Sequence, residues 1–134
     1  MIKTAVDSSV LLDVFLGDPV HANNSAELLF KCFQEGSLVA CDVVWAEVRP
    51  KFEQNKTLLE IALQAGLGFD PLNRESSLLA GEIYRKYKQS GGKKERIIPD
   101  FLIAAHAFVQ TDRLLTRDRG FYRAYFPKLE IISP

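Results

Sequence analysis

Short apolar runs of strand length alternate with segments of helical periodicity along almost the whole chain. That alternation restricts the fold to an α/β domain with a parallel sheet and helical crossovers. Residues 2–6 read as a first strand, and Ser8 is placed to cap the helix that follows, where Val10, Leu11, Val14 and Phe15 recur at helical spacing. Gly17-Asp18-Pro19 breaks the chain. Residues 21–34 predict a helix and 38–41 a buried strand. Asp42 is a plausible N-cap for a helix running through Glu47, which Pro50 should kink or end by removing a donor and crowding the carbonyl of Ala46. Residues 57–65 resume helical spacing, and Gly66, Gly68 and Pro71 bracket a third strand. A helix over 75–88 leads to a flexible basic loop at 90–94. Residues 100–110 form a helix apolar nearly all round, and therefore buried. A strand at 114–116, a short helix at 120–125 and a closing strand at 129–132 complete one α/β domain, with no repeat or linker.

At 134 residues the chain can close a real core, and 47% apolar with 25% charged residues excludes a disordered chain. Apolar runs such as 101–105 fall far short of the ~20 residues of a membrane span. The N-terminus reads as a strand rather than a signal peptide. Cys32 and Cys41 make neither a metal spacing nor a disulfide scaffold, so a reducing cytoplasm is expected. Net charge is zero, but residues 1–84 carry 6 basic against 12 acidic side chains and residues 85–134 carry 11 against 5. That asymmetry is compatible with a basic surface beside an acidic one. Solvated helix faces that happen to segregate would give the same balance.

In an open α/β sheet, ligands bind beyond the carboxyl ends of the strands at a topological switch point. Asp7 follows the first strand immediately, and Glu47 lies in the second turn of the helix after the second. Asp100 opens the buried helix, and Asp118 comes two residues after Thr116. Asp7, Asp100 and Asp118 could each serve simply as a helix N-cap. Glu47 stands in a run of Val43, Val44, Trp45, Ala46 and Val48, where a buried Glu must be paired, protonated or bound to metal. Asp13 and Asp112 read as surface or turn residues.

If the four acids converge, they need a counter-charge. Two carboxylates ~4 Å apart repel by about 4 kcal/mol at an effective dielectric near 20. All-oxygen ligation suits Mg²⁺ or Mn²⁺, which can activate water for attack on a phosphodiester. Zinc is disfavoured, because His21 and His106 are the only histidines and neither is grouped with the cysteines. Six positions along a helix is a rotation of about 240°, so His106 points away from Asp100 and reads as a packing or surface residue.

These segments resemble the PIN-domain nucleases, and among them the VapC-type toxins of toxin–antitoxin pairs. The resemblance runs over essentially the whole chain. It is carried by Val6-Asp7-Ser8-Ser9-Val10-Leu11-Leu12, by Val44-Trp45-Ala46-Glu47-Val48, by the run from Pro99-Asp100 to Ala107, and by Leu114-Leu115-Thr116-Arg117-Asp118-Arg119-Gly120-Phe121. It implies a PIN-like fold with a central parallel sheet of about five strands flanked by helices. It also implies Mg²⁺ or Mn²⁺, cleavage of RNA, a homodimer and a cognate antitoxin. Two departures are a basic loop immediately before Asp100, and Pro50 three residues past Glu47.

On this reading Asp7, Asp100 and Asp118 are metal ligands, directly or through water, and Glu47 is a further ligand or orients the attacking water. Ser9 and Thr116 are supporting hydroxyls. Lys93, Lys94, Arg96, Arg117 and Arg119 are candidate RNA contacts. One rival is a phosphotransferase with Asp7 as nucleophile, but the haloacid-dehalogenase pattern wants an Asp where Ser9 stands. Another is a noncatalytic RNA-binding or scaffold domain of the same fold, which the presence of all four acids opposes.

Overall fold

The computed structural model describes residues 1–91 and 98–134. Five strands form one sheet: β1 (Ile2–Val6), β2 (Gly36–Ala40), β3 (Leu67–Phe69), β4 (Arg113–Leu115) and β5 (Ile131–Ile132). Their order is β3-β2-β1-β4-β5 and every neighbouring pair is parallel. The chain runs outward from β1 to β3, then returns across β1 to build β4 and β5. The order of strand addition therefore reverses between β1 and β4, the switch point where a ligand crevice opens.

The helices are α1 (Ser8–Phe15), α2 (Ala22–Glu35), α3 (Asp42–Val48), α4 (Asn55–Gln64), α5 (Arg74–Gln89), α6 (Ile98–Gln110) and α7 (Arg119–Tyr125). Most boundaries lie within two residues of the sequence expectation, and the differences have local causes. Asp7, not Ser8, is the N-cap of α1, because its backbone stays extended (φ −76°, ψ 152°) while Ser8 is already helical. Cys41 likewise takes the cap position of α3 and Asp42 falls in the first turn, where its charge suits the positive end of the helix. Strand β2 begins at Gly36 because it pairs there with Ile2, so closely that a Cβ at 36 would lie 1.9 Å from the Ile2 carbonyl oxygen. Pro50 ends α3 at Val48, and Arg49–Lys51 continues as one 3₁₀ turn. The closing strand shrinks to Ile131–Ile132, since β4, its partner among the described residues, offers Leu114 and Leu115.

Core residues come from both faces of β1 and β4 and from one face of β2: Ala5, Val6, Leu38, Ala40, Leu114 and Leu115 are all buried. Helix α6 is the most enclosed, with Phe101 and residues 103–107 buried, as its sequence predicts. Phe101 is fully buried among aromatic rings from α5 and α7, at 5.0 Å from Tyr84, 5.3 Å from Tyr87 and 5.2 Å from Phe121 between centroids. Such edge-to-face packing fixes ring orientation as well as burying area. It locks the first turn of α6, and with it Asp100. Cys32 and Cys41 are free and buried. Among the described residues no helix is long and apolar enough to cross a membrane.

Candidate active site

Asp7, Glu47, Asp100 and Asp118 line one open pocket of about 360 Å³, together with Ser8, Ser9, Ile103, Arg117 and Tyr122. Asp7 and Asp118 come from the two strands flanking the switch point. Glu47 comes from α3 after β2, and Asp100 from the first turn of α6.

Asp7 is buried, and both of its oxygens are held. Oδ1 accepts the Ser8 N–H at 2.8 Å, while Oδ2 accepts the Thr116 hydroxyl at 2.7 Å. The hydroxyls of Tyr122 and Ser9 reach the same Oδ2 at 3.4 and 3.5 Å. Capping and membership of the site therefore coexist in this residue. Ser8 Oγ lies 3.0 Å from Glu47 Oε1 and 3.4 Å from Asp7 Oδ1, bridging the two acids. Glu47 sits exposed at the mouth. Its apolar sequence neighbours do not bury it, because Val44 and Val48 carry the buried stripe of α3.

The capping alternative does not account for Asp118. It occupies the N-cap position of α7, yet its side chain makes no cap hydrogen bond. Its N–H donates to Thr116 Oγ1 at 3.0 Å, so one threonine hydroxyl joins Asp7 to the loop carrying Asp118. Thr116 is fully buried in this role.

The electrostatics of Asp7 and Glu47 are those of neighbouring acids that lose solvent. Burial raises the Asp7 pKa, the bonds from Thr116 and Ser8 oppose that, and the charge of Asp100 adds to it. Glu47 is raised by desolvation, against the Ser8 bond, with Asp7 and Asp100 contributing further. Among the described residues neither Asp7 nor Glu47 forms an ion pair. Burial and the three nearby aspartates push the Tyr122 hydroxyl upward, so it remains a donor.

The donor set is all oxygen, which fits a hard divalent cation rather than zinc. No three acidic, histidine or cysteine side chains among the described residues form a ready-made cage. A cation here would be shared partly through water, as Mg²⁺ commonly is.

A PIN domain family model matches residues 4–127. The chain belongs to the PIN domain family. Solved structures of similar fold include VapBC2 from Rickettsia felis bound to a DNA fragment from its promoter, with TM-score 0.74 and 21% identity over 99% of each chain. VapBC-1 from nontypeable Haemophilus influenzae matches at TM-score 0.72 and 14% identity over 98% of each chain. DNA-bound VapBC from Salmonella typhimurium matches at 0.68 and 17%, over 99% of this chain and 98% of that one. No curated protein matches the sequence.

Within this PIN domain the other sequence expectations fare unevenly. Ser9 and Thr116 both reach Asp7, Thr116 through much the shorter bond. Asp112 is an exposed turn residue, as expected, accepting the Lys3 N–H at 2.7 Å. Asp13 is not a surface residue: it is buried and paired with Arg117, whose Nε lies 2.8 Å from Asp13 Oδ2. That sets two N–H groups of Arg117 against α1, while the side chain stays partly exposed and lines the pocket. Arg119 is exposed, and Lys93, Lys94 and Arg96 lie outside the described residues. His106 is buried with Nε2 2.9 Å from Asp70 Oδ2, a packing role remote from the acids. Sequence reasoning missed Ser8 and Tyr122 as site residues. Tyr122 lies four positions after Asp118, one turn along α7, which was the available signal.

Proposed function

We propose that this PIN domain is a Mg²⁺- or Mn²⁺-dependent ribonuclease, the toxin of a toxin–antitoxin pair. The observation that carries the reading is the convergence of Asp7, Glu47, Asp100 and Asp118 on one pocket at the switch point of the sheet. Family membership and the likeness to VapBC proteins support it.

Asp7, Asp100 and Asp118 would hold the cation, directly or through water, with Glu47 as a further ligand or as orienter of the attacking water. When bound, the ion supplies an acidified water and charge neutralisation at the scissile phosphate. The chain's own groups do the positioning. Thr116 and Tyr122 hold Asp7 Oδ2, which leaves the carboxylate little freedom to rotate. Ser8 ties Glu47 to Asp7. Glu47, with its pKa raised, is suited to take a proton from water at the mouth. Arg119 and the basic residues Lys93, Lys94 and Arg96 are the candidates for phosphate contacts along the RNA. Replacing Lys93 and Lys94 together should then weaken binding and reduce its salt dependence.

The deciding experiment is cleavage of total RNA by purified protein with Mg²⁺ or Mn²⁺, alongside Asp100→Ala. Metal-dependent cleavage lost in the variant is expected; no cleavage by wild type with either ion overturns the nuclease. A nuclease domain of this size needs restraint, which is the role of a cognate antitoxin, and a homodimer is the expected assembly. Expression without the neighbouring reading frame should arrest growth, and normal growth would count against the toxin.

A further inference from the structure

Among the described residues the one buried acid outside the pocket lining is Asp13, on α1. Its Oδ2 accepts the Ser25 hydroxyl at 2.8 Å and the Arg117 Nε at 2.8 Å, and its Oδ1 accepts a second Arg117 N–H at 3.1 Å. The Asp13 side chain is 4% exposed and that of Arg117 is 37% exposed. A bidentate guanidinium–carboxylate pair fixes direction as well as distance. Arg117 also stands between two site residues: Thr116, whose hydroxyl bonds Asp7, and Asp118, whose N–H bonds that same hydroxyl. Asp13 belongs to the helix that Asp7 caps. The pair therefore closes a loop in the structure, from Asp7 along α1 to Asp13, across to Arg117, and back through Thr116 to Asp7.

We propose that Asp13 is a positioning residue of the site, holding the 116–118 segment in register with the amino end of α1 through the Arg117 guanidinium. Arg117 is then a strut at the rim of the pocket, its Nε and one further N–H committed to Asp13. The catalytic part of this inference rests on the proposed nuclease; the structural part does not.

The two parts are separated by measuring native-state hydrogen exchange and RNA cleavage on the same variants. Asp13→Asn keeps the size of the side chain and removes the charge. Exchange of the Asp118 amide should quicken at least tenfold, with the slowest amides of β1 unchanged. In Mn²⁺-supported cleavage kcat should fall about tenfold, with KM within twofold. Arg117→Gln should match that loss, and the double variant should be no worse than either, since the pair acts as a unit. Arg117→Lys, which keeps the charge, should recover part of the rate. If Asp13→Asn does not fold, Arg117→Lys carries the exchange measurement. An Asp118 amide that exchanges at the wild-type rate overturns the proposal. So does an Arg117→Gln variant that raises KM and flattens the salt dependence while Asp13→Asn is fully active, because Arg117 would then be a phosphate contact. Wild type without cleavage would sink the nuclease alone, and the exchange rates would still decide the strut.

Discussion

Two sets of carboxylates in this molecule are treated in opposite ways. Glu35, just before β2, accepts a 2.7 Å bond from Arg113 at the start of β4, and that bond lowers its pKa. Asp70, just after β3, loses some solvent, but the bond from His106 and the charge of Lys3 outweigh that and leave its pKa lowered. Asp7 and Glu47 at the pocket are raised instead, by desolvation first and then by the charge of Asp100, to which Asp7 adds for Glu47. The first set is matched and holds elements together. The second is crowded, and a fold tolerates such crowding where the site has a use for it. Glu35 and Asp70 thus act as struts, while Asp7 and Glu47 are the crowded working groups.

The largest effect expected from this contrast is on activity. Asp100→Asn should reduce metal-dependent RNA cleavage by about a thousandfold with little change in Tm, whereas Arg113→Met should leave the rate per folded molecule intact. Comparable activity losses in both would erase the distinction. Next in size is stability. Arg113→Met removes the buried bond to Thr4 Oγ1 (2.9 Å) and the partner of Glu35. The lost buried bond to Thr4 should lower the midpoint of urea unfolding, and the partly exposed Glu35 pair adds little to that.

A smaller effect of opposite sign belongs to Asp7. A carboxyl whose folded pKa is raised above the unfolded value of 3.8 favours the fold at low pH and loses that advantage as pH climbs through the folded value. At neutral pH and without metal, Asp7→Asn should therefore give a higher Tm. A lower Tm would mean that the carboxylate is a strut after all. The smallest effect is at His106, whose pKa is lowered by burial against the pull of Asp70. Its contribution is complete above the unfolded value of 6.5 and is lost as pH falls through the folded one. Stability should decline between pH 7.5 and 5.5 in wild type and less so in His106→Gln. Equal slopes would remove His106 from the matched set.

Much of this was legible in the sequence because it is local. The apolar run of β1 ends at Asp7, and the all-round apolar α6 begins beside Asp100. The Thr116-x-Asp118 spacing puts a hydroxyl within reach of the next loop amide. What stayed hidden depends on partners far along the chain. Asp13 reads as an ordinary polar residue on a short helix until Ser25 and Arg117, 12 and 104 positions away, close over it. Tyr122 reads as one aromatic of α7 among several, and only the tertiary placement of that helix carries its hydroxyl to Asp7. Glu47 shows the converse error of locality. Its apolar neighbours suggest burial, but helical periodicity gives the buried positions to Val44 and Val48 and leaves Glu47 at the mouth.

Calorimetric titration of Mn²⁺ into wild type and Asp7→Asn bears most directly on whether the crowded acids exist to hold a cation. Saturable binding in wild type, weakened at least tenfold in the variant, is the expected result. Identical isotherms, or no metal-dependent heat in wild type, would contradict it.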